Sequence, residues 1–269
     1  MAGDTRLARS SLLLTAGLLS VALAVGIAMA PGAGTVRAAN APVAIVKSLA
    51  TEAARVNYPT YAADYQLFVG WLGQFFTFDE ITDADVAAGK LAGYKLAILP
   101  NNAVMSAEEI AALEEFVAGG GKLLAVFSVS LRDPSLKLVG LQLGEMLGVR
   151  WVQWMSDPGF QQIEVVEPAP VLEGAPLTIP VGTGSSQIVE VLPNGRMLAV
   201  RASADGTMAM SNPAVIVESE AGIYIANHIL SGTNLAFPET QQLLYTIIKH
   251  YAPDSVKQPF TPVELAVQQ

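Results

Sequence analysis

Cysteine is absent from the 269-residue chain, and histidine occurs only twice, at His228 and His250. The missing cysteines exclude disulfides, thiolate metal sites and cysteine nucleophiles. Two histidines are too few for a metal site built from several imidazoles. Charged residues are also scarce, at 14% of the chain, whereas hydrophobic residues reach 52%. A chain this apolar folds around a core and is not intrinsically disordered.

Positive charge is scarcer than negative charge. The chain has 15 lysines and arginines against 24 acidic residues, a net charge of −9. Proteins that bind nucleic acid need clustered basic residues to contact phosphates, and no such cluster is present. We therefore expect no nucleic-acid partner.

The first residues have the pattern of a secretory signal. Arg6 and Arg9 precede an uncharged run over residues 12–30, and small residues follow. We expect cleavage after Ala38 and predict that the protein is exported. The run has 19 residues, enough to span a bilayer, so an uncleaved anchor is the alternative and the only membrane contact we expect. The predicted signal, domain and proline-containing extended tail cover residues 1–38, 39–252 and 253–269.

The first half of the domain alternates between strand and helix patterns. The runs KLAIL (95–99) and KLLAVF (122–127) predict strands that are buried on both faces. Between them, Ser106 and Glu109 have the spacing of a capping box, which predicts a helix start. Gly119 predicts its end. Strand, helix and strand in this order form a parallel βαβ unit with a right-handed crossover.

The sequence pattern changes in the second half of the domain. Prolines and glycines separate six short apolar segments over residues 160–224, which predicts β-strands added at one edge or end of the sheet. Short and final helices are predicted over residues 141–147 and 239–251. Together the patterns predict a three-layer α/β fold, Rossmann- or flavodoxin-like, with a mainly parallel sheet and a β-rich C-terminal extension.

Residues 94–135, YKLAILPNNAVMSAEEIAALEEFVAGGGKLLAVFSVSLRDPS, resemble the class I glutamine amidotransferase-like superfamily. Within it they are most similar to the trimerisation domain of family 42 beta-galactosidases. That domain has the same order of a strand ending in proline, a capped helix, Gly-Gly, a buried strand and a Ser-x-x-x-x-Asp turn. The resemblance implies the amidotransferase-like fold. It also implies an interaction surface, since this domain mediates oligomer contacts in those enzymes.

In catalytic members of the superfamily, the turn after the second strand carries a cysteine, and a His-Pro-Glu sequence supplies the base and its orienting acid. Here the turn reads FSV (127–129), and FPE (237–239) has phenylalanine in the place of the base. A phenyl ring accepts no proton. The resemblance therefore implies a non-catalytic domain that retains only Glu239.

Serine chemistry is the alternative. Ser128 or Ser130 is then the nucleophile, His228 at the end of a predicted strand is the base, and Glu239 or Asp133 orients it. The opposing interpretation makes the serines capping groups, His228 a half-buried strand-end residue and the acids solvated. We favour it because the Gly-x-Ser-x-Gly context of a reactive serine is absent.

Asp79, Asp83 and Asp85 belong to the densest acidic cluster and are weak candidates for calcium ligands. They lack EF-hand spacing, and acids are favourable at a helix start. We expect no metal and no cofactor.

Trp151 and Trp154 lie three apart on one predicted strand, which places them on opposite faces. We expect one in the core and the other exposed for sugar stacking or an interface. Arg132 and Asp133 are interpreted as a salt bridge within a turn.

The favoured function is an exported, non-catalytic domain for binding or self-assembly, with carbohydrate, a second copy or another exported protein as partner. The apolar segment 260–267 is a candidate to pair with a neighbouring subunit's sheet edge. The alternatives are a serine hydrolase or carbohydrate-processing enzyme, and a periplasmic or surface module that binds sugars or small solutes at the strand ends.

Overall fold

The computed structural model describes residues 41–55, 57–207 and 212–265. The predicted signal over residues 1–38 and the last residues of the tail, 266–269, lie outside this part of the chain. Among the described residues, no helix combines the length and the apolar character that crossing a membrane requires.

The described residues form eleven strands and six α-helices. The strands are β1 (Val43–Lys47), β2 (Asp79–Thr82), β3 (Leu96–Pro100), β4 (Lys122–Val126), β5 (Val149–Ser156), β6 (Gln162–Val165), β7 (Thr178–Pro180), β8 (Ser185–Val191), β9 (Arg196–Ala202), β10 (Ala214–Ser219) and β11 (Gly222–Ile225). The helices are α1 (Leu49–Ala53), α2 (Tyr61–Phe75), α3 (Asp83–Ala87), α4 (Ala107–Ala118), α5 (Gly232–Leu235) and α6 (Pro238–Tyr251).

Nine strands form one mixed sheet in the order β2-β1-β3-β4-β11-β10-β9-β6-β7. The first five are parallel, and their order is that of a flavodoxin-like sheet. The other four extend the same sheet with antiparallel pairs. Strands β5 and β8 form a separate antiparallel pair. The predicted α/β class is therefore confirmed, with the parallel strands on one side of the sheet.

Alternation along the parallel strands separates two cores. In β1, Val43 and Ile45 contact the core that contains α2 and α6. Ala44 and Val46 of the same strand contact the opposite core, formed with α3, α4 and the β5–β8 pair. Successive side chains of a strand point to opposite faces, so a strand without polar residues serves both cores. This arrangement gives the three layers.

The capping box predicted for α4 is confirmed. Ser106 Oγ accepts a hydrogen bond from the Glu109 amide at 3.2 Å, and Glu109 Oε2 accepts one from the Ser106 amide at 2.8 Å. Beyond the end of the helix, a Cβ on Gly121 would lie 2.3 Å from the ring of Phe116. The glycine run thus ends the helix and lets β4 begin close beneath it.

The described part of the tail packs on its own chain. The ring of Phe260 lies 5.6 Å from that of Phe75 and 5.4 Å from that of Tyr245. Gln241 exchanges two hydrogen bonds with the backbone of Val263, of 2.8 and 2.9 Å. These contacts occupy apolar side chains that we expected to pair with a neighbouring subunit.

Two predictions about the helices and strands were wrong. Residues 141–147 form turns and no helix, because Gly144 is a poor helix former and the Leu143 amide donates to Ser130 Oγ at 3.0 Å. Strand β11 was expected with the added strands, yet it pairs in parallel with β4. Strand β10, which directly precedes β11 in the sequence, pairs with the other edge of β11 as an antiparallel hairpin.

Candidate functional site

A cleft of about 510 Å³ lies where β3, β4 and β11 end. Asn101, Ser128 and His228 follow these three strands and line it, and the β5–β8 pair supplies the facing wall. The carboxyl edge of a parallel sheet is where open α/β folds bind ligands, and the volume lies within the usual range for ligand pockets. This cleft is the candidate site.

Phe127, directly after β4, occupies the strained position of the turn. Its backbone has a φ of 61°, in the left-handed region that bulky residues rarely adopt. Its carbonyl accepts a hydrogen bond from the Tyr224 hydroxyl at 2.8 Å. Its ring stacks on the imidazole of His228, with centroids 4.6 Å apart and an interplanar angle of 12°. The sharpest point of the turn therefore presents an aromatic ring and no nucleophile.

Ser128 is buried and its oxygen is engaged. Gln187 Nε2 donates to Ser128 Oγ at 2.8 Å, and Gln187 Oε1 accepts from Trp151 Nε1 at 2.7 Å. Gln187 has no exposed surface. This relay fixes the indole of Trp151 against the turn after β4.

Ser130, the second nucleophile candidate, has a structural position. It is fully buried, with a φ of 56°. Its hydroxyl oxygen accepts from the Leu143 amide, and its own amide donates to the carbonyl of Asn102 at 2.8 Å. Ser130 thus ties the loop after β4 to two neighbouring segments and does not line the cleft.

His228 faces an acid that the sequence did not suggest. Its Nε2 lies 3.4 Å from Oδ2 of Asp64 in α2, and Asp64 Oδ1 accepts from the Gly232 amide at 3.0 Å. Ser128 and His228 reach the same cleft, but no hydrogen bond joins them in the part of the chain that the structure describes. His228 is paired with the carboxylate of Asp64, whereas Ser128 accepts a hydrogen bond from the side-chain amide of Gln187.

The two candidate orienting acids lie outside the cleft. Glu239 is in the first turn of α6, where the helix dipole favours a negative charge. Asp133 Oδ1 accepts hydrogen bonds from the Ser135 hydroxyl and from the amides of Ser135 and Lys137. These bonds, the hydroxyl's above all, lower the pKa of Asp133. It shapes the loop and does not orient His228.

Arg132 does not form the expected salt bridge with Asp133. Its Nε donates to the Tyr58 hydroxyl at 3.3 Å and its Nη1 to the Leu136 carbonyl at 2.7 Å. Burial raises the pKa of Tyr58, and the hydrogen bond and charge of Arg132 offset part of that rise. Arg132 and Tyr58 both line the cleft.

The acidic candidates for metal ligands are held apart by separate partners. Asp79 accepts from the Tyr94 hydroxyl at 2.9 Å, Asp83 from the Ala50 amide at 2.9 Å, and Asp85 from the Thr82 amide at 2.9 Å. No group of three histidine or acidic side chains within the described ranges is placed to hold a metal ion.

Both tryptophans of β5 line the cleft, contrary to the expectation of opposite faces. The register shifts between Trp151, which pairs with Val189, and Gln153, which pairs with Ile188. Val152 is the extra residue of this β-bulge, and one extra residue brings side chains three apart onto the same face. Trp154 is 57% exposed, so its ring is available to a ligand.

Asn101 contributes an oxygen that lacks a partner. The residue is 5% exposed and has a φ of 60°, and its Oδ1 has no hydrogen-bond donor. Buried polar atoms are nearly always paired, so an unpaired oxygen on a residue that borders the cleft is a candidate contact for a ligand or a water. Sequence reasoning missed Asn101, although polar residues that directly follow buried strands are the available signal.

A second cleft of about 680 Å³ shares Thr60 and His228 with the first. Its lining includes Asp64, Gln66 and Ser231, and none of its side chains is a phenylalanine, tyrosine or tryptophan. The aromatic cleft therefore continues past His228 into a polar one.

Solved structures resemble the chain in fold. A beta-galactosidase from Halorubrum lacusprofundi has a TM-score of 0.59 and 17% identity, over 80% of this chain and 30% of that chain. Alpha-L-fucosidase isoenzyme 2 from Paenibacillus thiaminolyticus has a TM-score of 0.54 and 19% identity, over 78% and 33%. A ThuA-like protein from Bacteroides uniformis has a TM-score of 0.54 and 15% identity, over 83% and 97%.

This chain spans about a third of the length of the two glycosidases. No family model matches the chain, and no curated protein matches it in sequence. The likeness to beta-galactosidases confirms the fold relationship that the sequence resemblance implied.

Proposed function

We propose that this protein is an exported, non-catalytic domain that binds carbohydrate in the cleft at the strand ends. The observation that carries the proposal is the pair of tryptophans on one wall, Trp151 fixed by Gln187 and Trp154 exposed. A sugar ring has C–H groups on its faces and hydroxyls around its rim. It therefore needs an aromatic surface for its face and hydrogen-bonding groups at its edge.

The polar groups of the cleft suit the rim of a sugar. Asn101 borders the cleft, and its Oδ1 has no hydrogen-bond donor in the structure. This oxygen is shielded from solvent, so a sugar hydroxyl would reach it once the side chain rotates toward the cleft. The relatives in fold include a beta-galactosidase and a fucosidase by name, which supports a carbohydrate-related role. The second cleft beyond His228 leaves room for further sugar units.

The non-catalytic part of the proposal rests on the turn after β4. The strained position carries Phe127, and the nearest hydroxyl, that of Ser128, is bonded to an amide and not to His228. A nucleophile without a base within hydrogen-bond reach is not activated. Because the tail packs on its own chain as far as Leu265, ligand binding is the proposed function in preference to self-assembly.

The binding test uses the full chain, purified after export, and titrates it with a panel of oligosaccharides by calorimetry and tryptophan fluorescence. Trp154→Ala should weaken binding about tenfold, the equivalent of about 1.4 kcal/mol of lost stacking. Leu177→Ala is the matched control, since Leu177 is 72% exposed and does not line this cleft. Equal losses in both variants, or no binding to any saccharide, would contradict the proposal.

Two further measurements test whether the domain is non-catalytic and whether it is exported. After the titration the oligosaccharides should have their original chain length, because the domain is proposed not to cleave them. If they are cleaved and Ser128→Ala abolishes the cleavage, the protein is a serine enzyme instead. Export predicts that the purified protein begins at Ala39, which N-terminal sequencing measures. A start at the first residues would favour the uncleaved anchor.

A further inference from the structure

Arg132 is a cation without a carboxylate partner. A guanidinium has five N–H donors, and in the structure Arg132 uses one on the Tyr58 hydroxyl and one on the Leu136 carbonyl. No acceptor for the other three lies among the described residues. The neighbouring acid, Asp133, is turned into its own loop. Arg132 is half-buried and no carboxylate pairs with it, so its remaining N–H groups are open to an anion in the cleft.

Arg132 lies where a ligand in the cleft would contact it. The side chain lines the cleft together with Tyr58, Asn101 and Trp154. Its two existing bonds hold the guanidinium plane in place, so little side-chain entropy is lost when a ligand binds. Asn101 Oδ1 lacks a donor, and three N–H groups of Arg132 lack an acceptor. The cleft therefore offers unused donors for an anion, beside an amide oxygen that is shielded from solvent.

We propose that the ligand is an acidic saccharide whose carboxylate pairs with the unbonded N–H groups of Arg132. This inference rests on the proposed carbohydrate function. A planar carboxylate accepts two parallel N–H bonds from a guanidinium, a geometry that a neutral hydroxyl cannot match. A uronic acid unit presents this carboxylate, the hydroxyl for Asn101 and the ring face for Trp154. Arg132 is the one lysine or arginine among the residues that line the cleft, so the attraction for a carboxylate is expected at this residue.

The test compares short oligogalacturonides and oligoglucuronides with their methyl esters, which keep the sugar and remove the charge. The wild-type chain should bind at least one acid about tenfold or more tightly than its ester, as expected of a charge-assisted hydrogen-bonded pair. Arg132→Gln should abolish that preference, because it lowers the affinity for the acid about tenfold or more and the affinity for the ester by much less. Arg132→Lys should retain part of it, because the charge remains and the fork is lost.

Arg150→Gln is the matched control. It removes the same charge from an exposed position on β5, where Arg150 pairs with Glu190, and it should keep the preference for the acid. Equal affinity for acid and ester, or a preference that survives in Arg132→Gln, would overturn the inference. If both forms bind equally and Trp154→Ala weakens both, only the acidic specificity fails. If neither form nor any neutral saccharide binds, the proposed function fails with it.

Discussion

Two polar clusters lie at the same carboxyl edge of the sheet and differ in whether their hydrogen bonds are complete. In the closed cluster, formed by Ser48, Thr51 and Asp83, Ser48 Oγ donates to Thr51 Oγ1 at 2.8 Å. Thr51 Oγ1 also accepts from the Val104 amide at 3.0 Å, and Asp83 accepts from the Ala50 amide. Every side chain of this cluster has a partner from the protein itself.

The open cluster, formed by Asn101 and Arg132, follows the next two strands along the same edge, β3 and β4. Asn101 Oδ1 has no donor, and Arg132 has no counter-ion. Both clusters consist of polar residues close to the end of a buried strand, so residue type alone does not separate them. Between these two clusters the difference lies in the missing partners and the position in the cleft, and not in polarity.

The largest expected effect is on the closed cluster. Asp83→Ala removes the acceptor of the Ala50 amide, and it should lower the free energy of unfolding by about 1–3 kcal/mol. Saccharide affinity of the folded protein should not change. Urea denaturation measures the first quantity. Asp157→Ala, at an exposed turn, is the control, and a loss no greater than that of the control would break the comparison.

The same measurement on the open cluster should give the opposite result. Asn101→Gly removes a side chain whose oxygen has no partner, and glycine tolerates the φ of 60°. The free energy of unfolding should change by less than about 1 kcal/mol, while saccharide affinity falls about tenfold. Should the stability loss equal that of Asp83→Ala, Asn101 would belong to the structural network after all.

The smallest effect is a pH dependence next to the closed cluster. The hydrogen bond from Lys90, followed by those from Thr82, lowers the pKa of Asp85 from 3.8 to about 2. A lowered pKa means that the ionised carboxylate stabilises the fold above about pH 4, and that this contribution is lost as the pH falls through about 2. Asp85→Asn should therefore flatten the loss of stability between these pH values.

Denaturant midpoints over that pH range would show the flattening. Glu109→Gln is the internal contrast, because burial raises the pKa of Glu109. Its ionised form is disfavoured in the fold, so the stability associated with Glu109 is lost as the pH rises. Identical pH profiles for the two variants would contradict the opposite pKa shifts given for Asp85 and Glu109.

Local signals carried most of the prediction of the fold. The box of Ser106 and Glu109 involves residues three apart, and the six late strands are each bounded by their own turn residues. The place of β11 beside β4 depends on pairing between distant segments. No local pattern records such pairing, which is why β11 was assigned to the added strands.

The candidate site was predictable only in part. His228 and Ser128 were expected because each follows a predicted strand, and both line the cleft. Their partners, Asp64 and Gln187, come from elements far away in sequence. The shared face of the tryptophans depends on a single unpaired residue, Val152, which alternation alone does not reveal.

That bulge has a consequence for how the protein can vary. The bulge absorbs the one residue by which this stretch of β5 exceeds its partner stretch in β8. A chain lacking Val152 would place the two tryptophans two apart in a regular strand, and both would still face the cleft. If Val152 entered the ladder instead, Trp154 would turn to the other side of the strand, because every later residue would change face. The length of this stretch can therefore vary by one residue without loss of the aromatic wall, provided that the remaining residues keep their partners in β8.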